Sequence, residues 1–173
     1  MSSEPKELRA TFIRLRDHFP PGYGLASAAG KLPRVLAGLH FDTIVEIGTL
    51  RAHSTIALAY FADTVITVDI EEQPETREAI AISGVGDRII PVVVTSDAAK
   101  ERLLAALNFD LAFIDGDHTY DGVALDFRAT HKCGSVLFHD YWHTKWTGIR
   151  KFVDELPADE LTITDTFGWW RAK

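Results

Sequence analysis

The chain has 173 residues, 46% of them hydrophobic and 25% charged, which is the composition of one folded domain and excludes a disordered chain. Lys and Arg total 18 against 25 Asp and Glu, a formal charge of -7, so no general basic field exists for a phosphate backbone and no nucleic-acid partner is expected. No apolar run approaches the roughly 18–20 residues of a bilayer span, and the opening MSSEPKELRA lacks the apolar centre of a signal peptide; a cytoplasmic protein with no membrane partner is expected.

In chain order, Leu8, Phe12, Leu15 and Phe19 recur at helical spacing, and the segment ends before Pro20 and Pro21. The glycines and prolines between Pro20 and Gly30 read as a loop, and a short helix is expected over Leu32–Ala37, stopped by Gly38. Residues 1–40 are thus a helical leader to a core spanning 41–173. In that core, β-branched runs Thr43–Ile47, Val65–Asp69, Ile89–Val94, Leu111–Asp115 and Ser135–His139 alternate with the helical segments Ser54–Phe61, Pro74–Ile82, Ala98–Leu107 and Asp121–His131. Continuous apolar runs separated by helical crossovers specify a parallel sheet covered on both faces. A helix carrying Ile149, Phe152, Val153 and Leu156 follows, and Leu161–Asp165 and Gly168–Arg171 then read as an antiparallel pair near one sheet edge. The expected fold is α/β, a Rossmann-like, doubly wound, mostly parallel sheet of about seven strands with a C-terminal antiparallel hairpin.

Ligands of such sheets bind at the carboxyl ends of the strands, so the last residues of each run are the candidates. The first strand ends Val45-Glu46-Ile47-Gly48-Thr49, with His53-Ser54-Thr55 opening the next helix. The G-x-G-x-x-G pattern of a dinucleotide site is missing, and the Glu46 carboxylate would repel a diphosphate while suiting an ammonium or sulfonium group. Asp69 ends the second run about 20 residues further on, where an acidic side chain can accept hydrogen bonds from both hydroxyls of a ribose; Ile70 follows it. Ser96, after the third run, serves either the cofactor or the cap of the next helix.

Ile114-Asp115-Gly116-Asp117-His118-Thr119-Tyr120 releases two carboxylates and an imidazole within four residues, and Phe138-His139-Asp140 repeats the theme on the next run. If those strands are neighbours, their spacing of about 4.8 Å brings Asp115, His139 and Asp140 within reach of one metal ion. Carboxylates suit Mg²⁺ or Mn²⁺, and an imidazole shifts the preference toward Mn²⁺, Fe²⁺ or Zn²⁺. The same residues also make a hydrogen-bonded cluster without metal, and His139 with His143 at spacing four would pair only on a helix.

Together, Glu46-Ile47-Gly48-Thr49, the acidic end Asp69, the Asp115-Gly116-Asp117-His118-Thr119-Tyr120 segment and the His139-Asp140 pair resemble the class I S-adenosylmethionine-dependent methyltransferases. They are most similar to the small-molecule O-methyltransferases that include macrocin O-methyltransferase and cephalosporin-hydroxylase-like proteins. The resemblance covers about residues 40–145. It implies S-adenosylmethionine as cofactor, with Glu46 and the Gly48 turn holding its methionine part and Asp69 its ribose; Thr49, Ser54, Ile70, Ser96 and Asp115 complete the candidate cofactor-binding residues. It further implies Asp115 and Asp140 as ligands of Mg²⁺ or Mn²⁺, joined here by His139, and His118 as the catalytic residue that takes the proton of an acceptor hydroxyl. Ala52 and His53 stand where relatives often carry another glycine.

The expected partner is a small molecule bearing a hydroxyl, its pocket shaped by Pro20–Gly30 and Tyr141–Thr147, with Trp142 and Trp146 as candidate walls and Trp169 and Trp170 as core or as part of a homodimer contact. Two other readings use the same residues: a metal-dependent hydrolase built on the Asp/His cluster, in which Glu46 and Asp69 have no role, and a non-catalytic cofactor-binding module.

Overall fold

The computed structural model describes residues 6–19 and 27–173. Helices α1 (Lys6–His18) and α2 (Ser27–Val35) precede β1 (Phe41–Ile47), and strand and helix then alternate through α3 (His53–Leu58), β2 (Ala62–Asp69), α4 (Thr76–Ser83), β3 (Ile89–Val93), α5 (Asp97–Ala106), β4 (Leu111–Ile114), α6 (Tyr120–Thr130) and β5 (Ser135–Phe138). Helix α7 (Thr147–Val153) leads to the closing hairpin β6 (Leu161–Thr164) and β7 (Phe167–Arg171).

The seven strands form one sheet in the order β3-β2-β1-β4-β5-β7-β6. All pairs are parallel except those of β7, which runs antiparallel to both β5 and β6. The doubly wound α/β sheet with a C-terminal antiparallel hairpin is the fold expected from the alternation of runs. The chain winds outward from β1 through β2 to β3, then returns to the other side of β1 with β4. That reversal opens a crevice beyond the carboxyl ends of β1 and β4.

Alternation along each strand sorts the core into two layers. Ile44 faces Leu8, Leu32 and Ile56 on the α1–α4 side, whereas Val45 and Ile47 face Leu104, Phe138 and Val153 on the other. Helix α1 is tied to the body where Thr11 Oγ1 and Arg14 Nη2 donate to the Ser83 carbonyl, at 3.0 and 2.7 Å.

Helix α2 departs from expectation. It begins at Ser27 and carries Pro33 inside it, where the sequence favours a start at Leu32 because proline interrupts helix interiors. The buried face of Ala28, Ala29, Leu32 and Leu36 outweighs that local cost. The expected loop from Pro20 to Gly30 lies outside the described residues as far as Ala26. No helix among the described residues is long and apolar enough to cross a membrane.

Candidate active site at the carboxyl edge of the sheet

The ladder runs one residue past the strand ends and aims the site. Gly48 N–H donates to the Val68 carbonyl at 2.9 Å, Asp115 N–H to Ile47 at 2.9 Å, and His139 N–H to Ile114 at 3.1 Å. Gly48 has φ +100°, and a Cβ there would collide with the Asp115 carbonyl group. Only glycine lets the β1 and β4 loops approach this closely. On the next strand, Asp140 adopts φ 57°, a left-handed conformation that aspartate tolerates better than most residues, and this turns its carboxylate back toward β4.

These turns gather the candidate metal ligands. Asp115, His139 and Asp140 each offer one atom within 4.8 Å of the others. His139 is almost fully buried, with Nδ1 3.0 Å from Asp115 Oδ1 and 3.3 Å from Asp140 Oδ1, and its ring leans on Phe167 at 5.1 Å between centroids. The chain turns after Asp140 instead of forming a helix, so His143 is carried away. It accepts the Lys145 and Trp146 N–H groups at 3.2 Å and closes that turn.

His118 lies over the same carboxylates. Thr119 caps α6 by accepting the Gly122 N–H at 3.1 Å, and this bends the preceding residue toward the strand ends. His118 Nε2 lies 3.5 Å from Asp115 Oδ1 and 3.4 Å from Asp140 Oδ2, too long for well-formed hydrogen bonds. Asp115 and then Asp140 raise its pKa from 6.5 to about 9, against the effect of burial. In return, His118 and the neighbouring histidines lower the Asp140 pKa although burial opposes it. His118 is therefore favoured by the site in its protonated form at pH 7. Its ring stacks on Trp146 at 5.3 Å, and Trp146 stacks in turn on His143 at 5.8 Å.

Glu46 is fully buried on the α1–α4 side of β1. The Thr55 hydroxyl donates to its Oε2, as does Thr67 Oγ1 at 2.7 Å, while Oε1 is buried without a hydrogen-bond partner. Burial pushes its pKa from 4.5 to about 7, despite the hydroxyls of Ser54, Thr55 and Thr67 around it. Thr49 Oγ1 extends this hydroxyl group through Thr67 at 2.6 Å. Glu46, Thr49 and Ser54 thus form a buried support behind the β1 loop.

Asp69 is caught by the loop it faces. Its Oδ2 accepts the Thr49 and Leu50 N–H groups at 2.8 and 2.9 Å, and Oδ1 accepts the Ile70 N–H at 2.7 Å. Consecutive loop amides with positive φ at Gly48, Leu50 and Ala52 make an anion-binding concavity, and Asp69 fills it.

Two cavities meet at this edge. The first, of about 730 Å³, is lined by Gly48, Asp69, Ile70, Asp115 and His118 among others. Ser96 is exposed outside it, capping α5 with a 3.4 Å bond from the Ala99 N–H. The same cavity exposes a pair that no local motif announces. Lys100 on α5 lies 2.5 Å from buried Asp126 on α6 and 3.3 Å from Asp97. The second cavity, of about 700 Å³, shares Gly116 to Thr119 and adds Tyr120, Lys145, Trp146, Gly148 and Lys151. Trp146 borders it, whereas Trp142 is exposed and lines neither cavity. Trp169 and Trp170 are buried in β7 and donate to Ser135 Oγ and Glu160 Oε2, at 2.9 and 2.8 Å.

A sheet of this winding, with acidic strand ends around a crevice and no glycine-rich phosphate loop, defines a methyltransferase-type fold. A family model described as a methyltransferase domain matches residues 45–141, more than half of the chain, and the chain belongs to that family. Comparison with curated proteins gives no match. Among solved structures, the fold resembles an O-methyltransferase from Bacillus cereus in complex with SAH, with TM-score 0.67, 22% identity and coverage of 99% of this chain and 92% of that one. It likewise resembles a cofactor-bound protein from MTB, with TM-score 0.68, 25% identity and coverage of 97% and 90%. A third likeness is to the O-methyltransferase TomG from Streptomyces achromogenes, involved in tomaymycin synthesis and in complex with SAM, with TM-score 0.66, 20% identity and coverage of 100% and 92%.

Proposed function

We propose that the protein is an S-adenosylmethionine-dependent O-methyltransferase acting on a hydroxyl of a small molecule, with a divalent cation, Mg²⁺ or Mn²⁺, at Asp115, His139 and Asp140. One observation carries the reading: Asp115 and His118 line the acidic first cavity, His118 also borders the second, and His139 and Asp140 stand behind them within one ion's reach of Asp115. Family membership favours methyl transfer over the hydrolase alternative, and the solved relatives described as bound to SAM or SAH support the choice of cofactor.

The first cavity fits that cofactor. Six aspartates, Asp69, Asp97, Asp115, Asp117, Asp121 and Asp126, line it against Lys100 and Arg128, a balance that attracts a sulfonium and an ammonium. In this reading Asp69, already oriented by three backbone amides, takes the ribose hydroxyls with its remaining lone pairs. Ile70 and Gly48 shape the surrounding wall. Glu46 supports the loop from behind rather than by direct contact, through the hydroxyls of Thr55 and Thr67, and Thr49 and Ser54 belong to the same support. Asp97 lines the cavity beyond the third strand end, whereas Ser96 lies outside it as the cap of α5 and makes no part of this site.

S-adenosylmethionine supplies an electrophilic methyl group. Transfer of that group to the acceptor oxygen would leave the electron pair of the carbon–sulfur bond on sulfur, and the hydroxyl proton would have to be taken up by this chain. A cation held by Asp115, His139 and Asp140 would acidify the hydroxyl and draw carboxylate charge away from His118. His118 Nε2 is the proton acceptor, placed by its stack on Trp146. Most of the acceleration arises from alignment of oxygen opposite sulfur and from this deprotonation.

Titration calorimetry with S-adenosylhomocysteine tests the reading, with micromolar binding expected. Well-folded protein that binds none of it would sink the proposal.

A further inference from the structure

We infer that the second cavity is the acceptor site and selects a hydroxy-aromatic compound carrying an anionic group, held by Lys145 and Lys151. This deepens the proposed function and rests on it, since the reacting hydroxyl must reach the wall, Gly116 to Thr119, that the two cavities share.

The charge of the cavity is the first support. In a chain of net charge -7, this lining carries two lysines against one carboxylate, Asp117. The lysines are also uncommitted. In the first cavity Lys100 is neutralised by Asp126 and Asp97. Among the described residues, Lys145 and Lys151 form no ion pair and rest only on rings, Lys145 Nζ 4.7 Å from the Trp146 centroid and Lys151 Nζ 4.8 Å from that of Tyr120. A cation on an aromatic face keeps its N–H groups available for an incoming anion.

The second support is the walls. Tyr120 and Trp146 flank the space; His118 and His143 already stack on Trp146, so a flat ring would meet these walls at their edges, in T-shaped geometry. The frame between them is rigid. A Cβ on Gly148 would collide with Tyr120 N and lie 2.5 Å from the His118 carbonyl oxygen, so the start of α7 is pressed against the backbone that presents His118. Lys151, one turn further along α7, is thereby set at a fixed offset from the proton acceptor. An acceptor anchored by its anion at the lysines has its position relative to His118 determined by that frame.

The test uses 3,4-dihydroxybenzoate and its methyl ester, which share a ring and hydroxyls and differ in charge. Both are titrated calorimetrically into the full chain in Mg²⁺ buffer, with and without saturating S-adenosylhomocysteine. The acid is expected to bind about tenfold more tightly than the ester, the scale of a hydrogen bond to a charged group. In the Lys145→Gln/Lys151→Gln variant that ratio should fall to about one, while affinity for S-adenosylhomocysteine is unchanged. Equal binding of acid and ester, binding of neither, or a ratio that survives in the variant overturns the inference. Absence of S-adenosylhomocysteine binding counts against the proposed function instead, and the acid-to-ester ratio measured without it still reads the lysines.

Discussion

The two cavities share four consecutive residues, Gly116 to Thr119, yet they are built from different materials. The first lies on strand ends and helix starts of the parallel sheet, and its carboxylates are fixed by backbone: three amides hold Asp69, and the extended ladder holds Asp115. The second borders the turn after β5 and α7, and its cations are fixed only by rings. The difference teaches a division of labour. A rigid acidic half suits one invariant cationic ligand, whereas a half made of side chains on a turn can change its ligand without disturbing the sheet.

The largest effect that sharpens this contrast falls on the shared wall. His118→Gln is expected to lower methyl-transfer turnover by about 10²–10⁴-fold, the range for a lost proton acceptor, while calorimetry shows S-adenosylhomocysteine binding intact. A variant of near-normal turnover would remove His118 from the mechanism. On the acidic side, Asp69→Ala should weaken S-adenosylhomocysteine binding by about tenfold or more, from the loss of hydrogen bonds to a charged group, and should leave the discrimination between acid and ester untouched. On the other side, Gly148→Ala should cost roughly 1–3 kcal/mol in denaturant unfolding, because its methyl group meets backbone that cannot yield.

The pH dependence is smaller in effect and separates the two carboxylate environments. His118 has a pKa raised from 6.5 to about 9, so its contribution to stability is complete below pH 6.5 and is lost as the pH rises through 9. Unfolding midpoints from pH 6 to 10 should decline more steeply for the parent protein than for His118→Gln. Proton NMR of the ring should show that transition moving lower on addition of Mg²⁺. Glu46 is a raised carboxyl, from 4.5 to about 7; its proton favours the folded state below pH 4.5, and that benefit disappears as the pH rises through 7. Glu46→Gln should therefore gain stability relative to the parent between pH 5 and pH 8. An unchanged difference would mean that the buried carboxylate is already ionised.

The parallel core was legible because its central strands β1, β4 and β5 are buried on both faces over most of their length and so read as apolar runs, and the residues that end those runs are brought together at the edge. Asp115, His139 and Asp140 could be grouped from sequence once β4 and β5 were taken as neighbours, which their pairing bears out. Register and packing hid the rest. Glu46 lies among Ser54, Thr55 and Thr67 because β2 pairs Thr67 opposite it and α3 folds back over the same face, and no local pattern encodes that enclosure. The raised pKa of His118 depends on two carboxylates from different strands. Lys100 and Asp126 meet only because α5 and α6 are adjacent, and Lys145 on the turn and Lys151 on the exposed side of α7 are charged residues that read simply as surface.

The contact at Gly48 has a consequence for how such a protein can change. Its backbone abuts the Asp115 carbonyl with no space for a methyl group, so the loop that borders the first cavity and the loop that presents a candidate metal ligand cannot drift apart or together independently. Substitutions that remodel one must be accommodated by the other. Variation in this chain is therefore channelled away from the sheet edge and toward the exposed side chains between Trp142 and Lys151, which can diversify without an accompanying change in the sheet.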